Sequence, residues 1–355
     1  MTFARHPRRV VYIAVLLVGV TFLYFRYFAS GNRILYGSRV HAKGSYLITS
    51  GDTAAGHLPD RSNKDSGPDQ THSENETVVL VWKDETWKRV EHFCSRDDKF
   101  DRTIFHSPAG NVSMYIHDVK NDMYVSNELK KHGTWETPNF KVFFDHLTSD
   151  PEIGLIDLGG QLGSYALTAA KLGRQVVSID PLEQNILRFC KSVQENNFQD
   201  KITIFYSAVS DSRRKVSFTG PNNHIAAVKV QEIDSKSNLA GSYSKFMSQT
   251  VLLDDLLPYI HFKKAVIKID VESHEYQALR GGSKLFATID VRAIMMEWVN
   301  VKMTGFAPAL IEMLRGYGFK PYTVYISDNN RIPRANSLNP AVYMGWPFDV
   351  QFLKM

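Results

Sequence analysis

The chain has 355 residues, with 42 Lys plus Arg against 37 Asp plus Glu and a formal net charge of +5. Seven cations (Arg5, Arg8, Arg9, Arg26, Arg33, Arg39, Lys43) and no acid fall in residues 1–45, so the other 310 residues carry a net charge of −2. A nearly neutral body excludes a broad nucleic-acid surface, and 43% hydrophobic with 12% aromatic residues excludes wholesale disorder or a collagen-like repeat. Two cysteines, Cys94 and Cys190, are too few for a disulfide scaffold or a four-Cys zinc site, although one bridge is arithmetically possible.

Residues 10–25 read VVYIAVLLVGVTFLYF, followed by Arg26 and the apolar residues Tyr27, Phe28 and Ala29. An uncharged run of about 16 to 20 residues spans a thin bilayer when a flanking Arg snorkels. The run ends in Leu23, Tyr24 and Phe25 instead of the small residues of a cleavage site, which favours a retained signal anchor at 10–29 over a cleaved signal peptide. The tight cluster Arg5, Arg8 and Arg9 makes 1–9 the cytoplasmic tail and the body lumenal.

Residues 30–77 are read as a stem, polar and without helical or strand period from 49 onward. The acceptor triplets Asn75-Glu76-Thr77 and Asn111-Val112-Ser113 agree with a lumenal body. Anchor, stem and C-terminal body together resemble the layout of Golgi-resident modifying enzymes, so the expected address is the Golgi or endoplasmic reticulum. Residues 78–150, with the aromatic segments VVLVWK, SMYIHD and NFKVFFDHL, are expected to form an accessory region against a main domain at 151–355.

From residue 151 onward, strand-length apolar runs alternate with helix-length amphipathic stretches. The strands are expected at 153–158, 175–179, 202–206, 265–269 and 293–297, and the helices at 164–172, 182–196, 274–287 and 308–317. This alternation implies an α/β fold with a parallel sheet covered on both faces. Two last runs, 322–326 and 341–345, have no helix between them and are expected to form an antiparallel hairpin at the sheet edge.

The first strand runs into Asp157-Leu158-Gly159-Gly160-Gln161-Leu162-Gly163, and the second ends at Asp180-Pro181. Glycines permit a tight strand-to-helix turn against which a ligand can lie, and an acid at the next strand end can accept ribose hydroxyls. With Ala208-Val209-Ser210, Leu253-Asp254-Asp255 and Lys268-Ile269-Asp270-Val271-Glu272 these motifs stand in one order over residues 153–298. The segment resembles the FkbM-type methyltransferases that use S-adenosylmethionine. It departs from their pattern at Gly160-Gln161 for Ala-Asn, Asp180 for Glu, and Ser273-His274 for Gly-Ala.

The resemblance implies a Rossmann-like, seven-stranded class I methyltransferase sheet. It places the amino-acid part of S-adenosylmethionine on the loop with Asp157, Gly159, Gly160, Gln161 and Gly163, the ribose on Asp180, and the adenine beside Ser207 and Ala208. Asp270, Glu272 and His274 crowd a strand's carboxyl end, where open α/β sheets bind ligands, and are the candidates for deprotonating or orienting an acceptor hydroxyl. Asp254 and Asp255 read as helix-capping groups, Glu275 and Arg280 as surface charges, and Cys190 as core. Scattered histidines give no zinc spacing, so no metal is expected. The expected function is O-methylation of a glycan or other small hydroxyl acceptor. The alternatives are a catalytically inactive binding module, suggested by Ser273-His274 and Gln161, and a Mn²⁺-dependent glycosyltransferase reading Asp270-Val271-Glu272 as its metal pair. A nicotinamide dehydrogenase is weaker, because the loop lacks the G-x-G-x-x-G spacing.

Overall fold

The computed structural model describes residues 76–219, 229–232, 247–324 and 336–355, all within one structural unit, Gln70–Met355. The expected tail, anchor at 10–29, stem up to residue 75 and acceptor Asn75 lie outside the described residues. Among the described residues no helix is long and apolar enough to cross a membrane.

The chain opens with the hairpins β1 (Val78–Lys83) with β2 (Thr86–Arg89) and β3 (Asp101–Ser107) with β4 (Gly110–Ile116), then helices α1 (Val125–His132) and α2 (Thr137–Thr148). The alternating part follows as β5 (Ile153–Leu158), α3 (Ser164–Lys171), β6 (Val176–Asp180), α4 (Glu183–Glu195) and β7 (Ile202–Tyr206). The next four strands, β8 (Ala208–Ser210), β9 (Lys215–Thr219), β10 (Lys229–Glu232) and β11 (Met247–Leu252), form a separate four-stranded sheet. A 3-10 helix (Leu253–Tyr259) leads to β12 (Lys264–Ile269), α5 (Glu275–Arg280), α6 (Ser283–Thr288), β13 (Asp290–Glu297), α7 (Trp298–Val301) and α8 (Ala307–Gly316). The chain closes with β14 (Phe319–Thr323), a 3-10 helix (Pro340–Gly345) and β15 (Asp349–Lys354).

The main sheet has nine strands in the order β14-β15-β13-β12-β5-β6-β7-β1-β2. Seven of them, β7-β6-β5-β12-β13-β15-β14, reproduce the expected arrangement; the other two come from the 78–150 region, because β1 pairs parallel to β7 over Val78–Val81. The order reverses between β5 and β12, both running parallel, and that crevice is the switch point at which such sheets bind ligands.

Two expectations are corrected. The closing hairpin is β14 with β15; residues 341–345, expected as its second strand, form a 3-10 helix begun by Pro340 and capped by the Asn339 side chain, which accepts from Ala341 N–H at 3.0 Å. The hairpin stands at the sheet edge as expected, with β14 outermost and β15 antiparallel between β13 and β14. The expected helix 274–287 is broken at Gly281 and Gly282, where a Cβ on Gly281 would stand 2.2 Å from the Ser210 carbonyl oxygen. The carboxylate of Asp254 accepts the free N–H groups of Lys284 and Leu285 at the start of α6, and Asp255 accepts from Leu252 N–H, as capping groups do.

Period-two alternation sorts the sheet's residues between two cores. Leu155, Val176, Val266 and Met295 face the side covered by α1 to α4 and the β3–β4 hairpin, together with Cys94 and Cys190. Ile156, Val177, Ile267 and Met296 face the side covered by α5, α6 and α8. The two chain segments that shape the switch point use left-handed backbone. Gly163 (φ 82) caps α3, and a Cβ there would stand 2.1 Å from the Phe189 ring of α4. Glu272 (φ 53) and Ser273 (φ 77) hold that conformation without being glycines.

These two positions predict opposite effects on stability. Gly163→Ala meets both a wrong φ and the Phe189 ring, and in urea denaturation it should lose about 2 kcal/mol or more. Ser273→Gly relieves a left-handed residue and should gain about 1 kcal/mol.

Candidate functional site

The loop after β5 is closed by contacts between strands. A Cβ on Gly159 (φ 86) would stand 1.9 Å from the Asp270 carbonyl oxygen, and one on Gly160 would stand 2.1 Å from Ser178 Oγ. These glycines therefore let β5, β6 and β12 converge. Gln161 takes the next left-handed position at φ 48, tolerated by a non-glycine residue only with strain. Its backbone N–H donates to Asp180 Oδ2 at 2.9 Å.

Asp180 is buried and its carboxylate is almost fully used. Oδ1 accepts from Leu182 N–H at 2.9 Å and from the Asn185 amide at 3.1 Å, while Oδ2 accepts from Gln161. One lone pair on Oδ2 is left, enough for one hydroxyl rather than the two expected from the sequence. Ser207 lies where expected, after β7, but its hydroxyl donates to the Gln249 carbonyl at 2.5 Å, so its backbone and that of Ala208 are what it offers a ligand.

The remaining polar residues form a row across one sheet face. In register, Ser178 stands beside Asp157, Asp157 beside Lys268, and Lys268 beside Met295. Two residues further along the same face come Asp180, Asp270 and Glu297, the last paired with Asp349 of β15. Ser178 Oγ donates to Asp157 at 3.1 Å. Lys268, 5% exposed, is 3.5 Å from Asp270 and lies over the Tyr165 ring, whose hydroxyl donates to Glu136 at 2.7 Å.

Burial and mutual repulsion set the charge of this row. Asp157 is pushed up to about 7 by burial, against the pull of Lys268, and Asp180 to about 6 by burial. Asp349 rises to about 7 by burial and the nearby Glu136; Glu297 is raised well above the usual carboxylate range by burial, Asp270 and Glu272. Burial alone would lower Lys268, but Asp270, Glu136, Asp349 and Glu297 more than offset it and keep it a cation. Many carboxylates around one buried cation make a site that favours a further positive charge.

The structure brings Asp270 and Glu272 together and adds Glu297 to them: the Asn300 amide donates to Glu297 at 2.7 Å and Glu272 at 3.2 Å. One carboxylate oxygen from each of Asp270, Glu272 and Glu297 lies within 4.8 Å of the others, a set able to hold a divalent cation, where the leading sequence reading expected no metal and only the glycosyltransferase alternative read Asp270 and Glu272 as a metal pair. His274 stands apart from this trio. It caps α5 and its Nε2 meets Ser210 Oγ at 2.9 Å. Glu275, read from the sequence as a surface charge, is buried: it accepts from Val271 N–H at 3.2 Å, and burial pushes it up to about 7.

Glu297, Asp349, Glu136 and Ser178 received no role from the sequence, and Lys268 none beyond its motif. Alternation was the available signal, since 178 and 180, 268 and 270, and 295 and 297 must share a face once their strands are parallel neighbours. Of the eight buried side-chain polar atoms that lack a hydrogen-bond partner among the described residues, two belong to this site: Gln161 Nε2, a donor, and Asp270 Oδ1, an acceptor. Both flank the switch point, where an amino acid's carboxylate and ammonium would satisfy them in turn, so the residues fit the expected cofactor.

Residues 157–321 match the methyltransferase FkbM domain. No curated protein matches the chain significantly. Among solved structures, a methyltransferase from Agrobacterium tumefaciens is similar with 8% identity and a TM-score of 0.37, covering 77% of this chain and 75% of its own. An rRNA methylase from Streptococcus thermophilus has 13% identity and a TM-score of 0.33, covering 61% and 96%. Magnesium protoporphyrin IX methyltransferase from Synechocystis PCC 6803, solved with bound S-adenosylmethionine, has 13% identity and a TM-score of 0.32, covering 61% and 78%. The match to the methyltransferase FkbM domain thus covers the part of the chain that holds Asp157, Asp180, Asp270 and Glu297.

Proposed function

We propose that the protein transfers a methyl group from S-adenosylmethionine to a hydroxyl oxygen of a glycan, in the lumen of the Golgi or endoplasmic reticulum, where an N-terminal helix anchors it. The observation that carries the chemistry is the row of buried carboxylates ending at the switch point. When bound, the cofactor supplies an electrophilic methyl group on a sulfonium. Gln161 Nε2 and Asp270 Oδ1 would hold its amino-acid part, and the free Oδ2 lone pair of Asp180 one ribose hydroxyl. Glu297, at the exposed end of the row and joined through Asn300 to Glu272, is placed to take the acceptor proton, with Glu272 and Asn300 orienting it. The glycan rests on the expected lumenal topology, with which the Asn111 triplet on β4 agrees.

Full-length protein in detergent, given methyl-labelled S-adenosylmethionine and mixed N- and O-glycans, should label sugar; label on protein or lipid alone would reject the glycan. Calorimetry with S-adenosylhomocysteine tests the cofactor site, and Asp180→Ala should weaken binding about tenfold. Burial raises Asp180 in the folded state from 3.8 to about 6, so the acceptor carboxylate is lost as pH falls through that value. The affinity of the wild type should therefore be constant above about pH 7 and decline below about pH 6. Glu297→Gln keeps the side-chain shape without the base; it should cut kcat about 100-fold and leave the S-adenosylhomocysteine affinity within about twofold.

The carboxylate trio favours a second reading, in which a divalent cation held there orients the acceptor oxygen. Loss of activity in EDTA, restored by Mg²⁺ or Mn²⁺, would support it; full activity in EDTA rejects it.

A further inference from the structure

The hydrogen bonds that hold Asp180 continue past its own helix. An ionised carboxylate only accepts, so Asn185 must turn its Nδ2 to Asp180, at 3.1 Å. That orientation leaves Asn185 Oδ1 as the acceptor for His117 Nε2 at 2.8 Å, which places the ring proton on Nε2. Burial lowers His117 to about 4, so the ring is neutral at physiological pH. Its backbone is pinned as well. His117 N–H donates to Ser126 Oγ at 3.1 Å, and the Ser126 hydroxyl donates to Asp122 at 2.7 Å. Asp122 also accepts N–H bonds from Val125 and Ser126, and Arg188 Nε donates to the carbonyl of Ile116, the neighbour of His117.

His117, Asp122, Ser126, Asp180 and Asn185 are all at most 5% exposed. A chain of buried polar groups is less favourable than an apolar core of the same volume unless each member is satisfied, and here each bond hands the next residue a fixed orientation. The chain begins in the 78–150 region and ends at the one open lone pair of Asp180, beside the loop N–H of Gln161.

We propose that His117 and Asn185 are positioning residues for cofactor binding, a hydrogen-bonded relay by which the accessory region fixes the Asp180 carboxylate for a ribose hydroxyl. The proposal rests on the reading of Asp180 as the ribose ligand. It gives the 78–150 region, expected only as an accessory part, a role in the cofactor site. Without the relay Asp180 keeps its charge and its two backbone donors, but its Oδ1 loses the side-chain donor that sets the carboxylate plane.

The test is calorimetry of S-adenosylhomocysteine with the full-length protein. Asn185→Leu and His117→Leu should each weaken binding about tenfold. His117→Gln, whose amide nitrogen stands near the place of Nε2, should bind within about twofold of wild type; a contribution to stability alone would not follow this donor. In an Asp180→Ala background Asn185→Leu should weaken binding no further, because the relay acts only through that carboxylate. Asn185→Ser carries the same expectation where Leu prevents folding. Wild-type affinity in the Asn185 variants, or additive losses in the double variant, overturns the relay while Asp180→Ala alone still reports on the ribose reading. An Asp180→Ala protein with unchanged affinity overturns both.

Discussion

The site depends on a buried cation. Lys268 lies in the middle of the sheet, at the face where Asp157, Asp270, Glu297 and Asp349 converge from four strands and Glu136 from the start of a helix. Removing one partner of a buried ion pair costs about 3–5 kcal/mol, and here a single ammonium serves several carboxylates at once. The carboxylates cannot all be fully ionised around one positive charge, which is why burial and repulsion raise Asp157, Glu297 and Asp349 together. Such a row is short of positive charge. A ligand bearing an ammonium and a sulfonium supplies what it lacks, and so does a divalent cation at the outer trio.

The same row explains the shape of the loops around it. Three strand ends must approach within contact for their side chains to share one field, so Gly159 and Gly160 carry no Cβ where Asp270 and Ser178 press against them. The strained stretch Glu272-Ser273 turns the chain sharply after Asp270, which brings the Glu272 carboxylate back to Asn300 and Glu297. Ser273 in a left-handed conformation keeps the backbone path that a glycine would take at that point of the motif. The departure thus changes strain more than architecture, which weighs against an inactive fold.

Much of the fold was legible because it is written in local period. The strands at 153–158 and 202–206 and the helices on either side of 175–180 emerged nearly at their observed bounds, since parallel strands are continuous apolar runs and their crossover helices amphipathic. What failed was decided at a distance. The helix at 274–287 breaks where Gly281 meets the Ser210 carbonyl, some seventy residues earlier in the chain. Residues 341–345 carry the apolar character of a strand, yet Pro340 and Asn339 start a turn that Trp298 and Trp346 pack against, and the true strand begins at Asp349.

The sequence by itself determined the class of fold, the order of the motifs, and three of the acids at the switch point, Asp157, Asp180 and Asp270, because a turn after a strand needs particular residues wherever it occurs. It also carried the membrane anchor and the stem as expectations, through composition alone. Only the tertiary structure decided that Glu297 joins Asp270 and Glu272 while His274 turns away to Ser210, that Glu275 is buried, and that His117 reaches Asp180 through Asn185. The physical reason is that field, burial and hydrogen bonding act between strands and helices that are neighbours in space. Strand order and register, rather than distance along the chain, set which side chains meet.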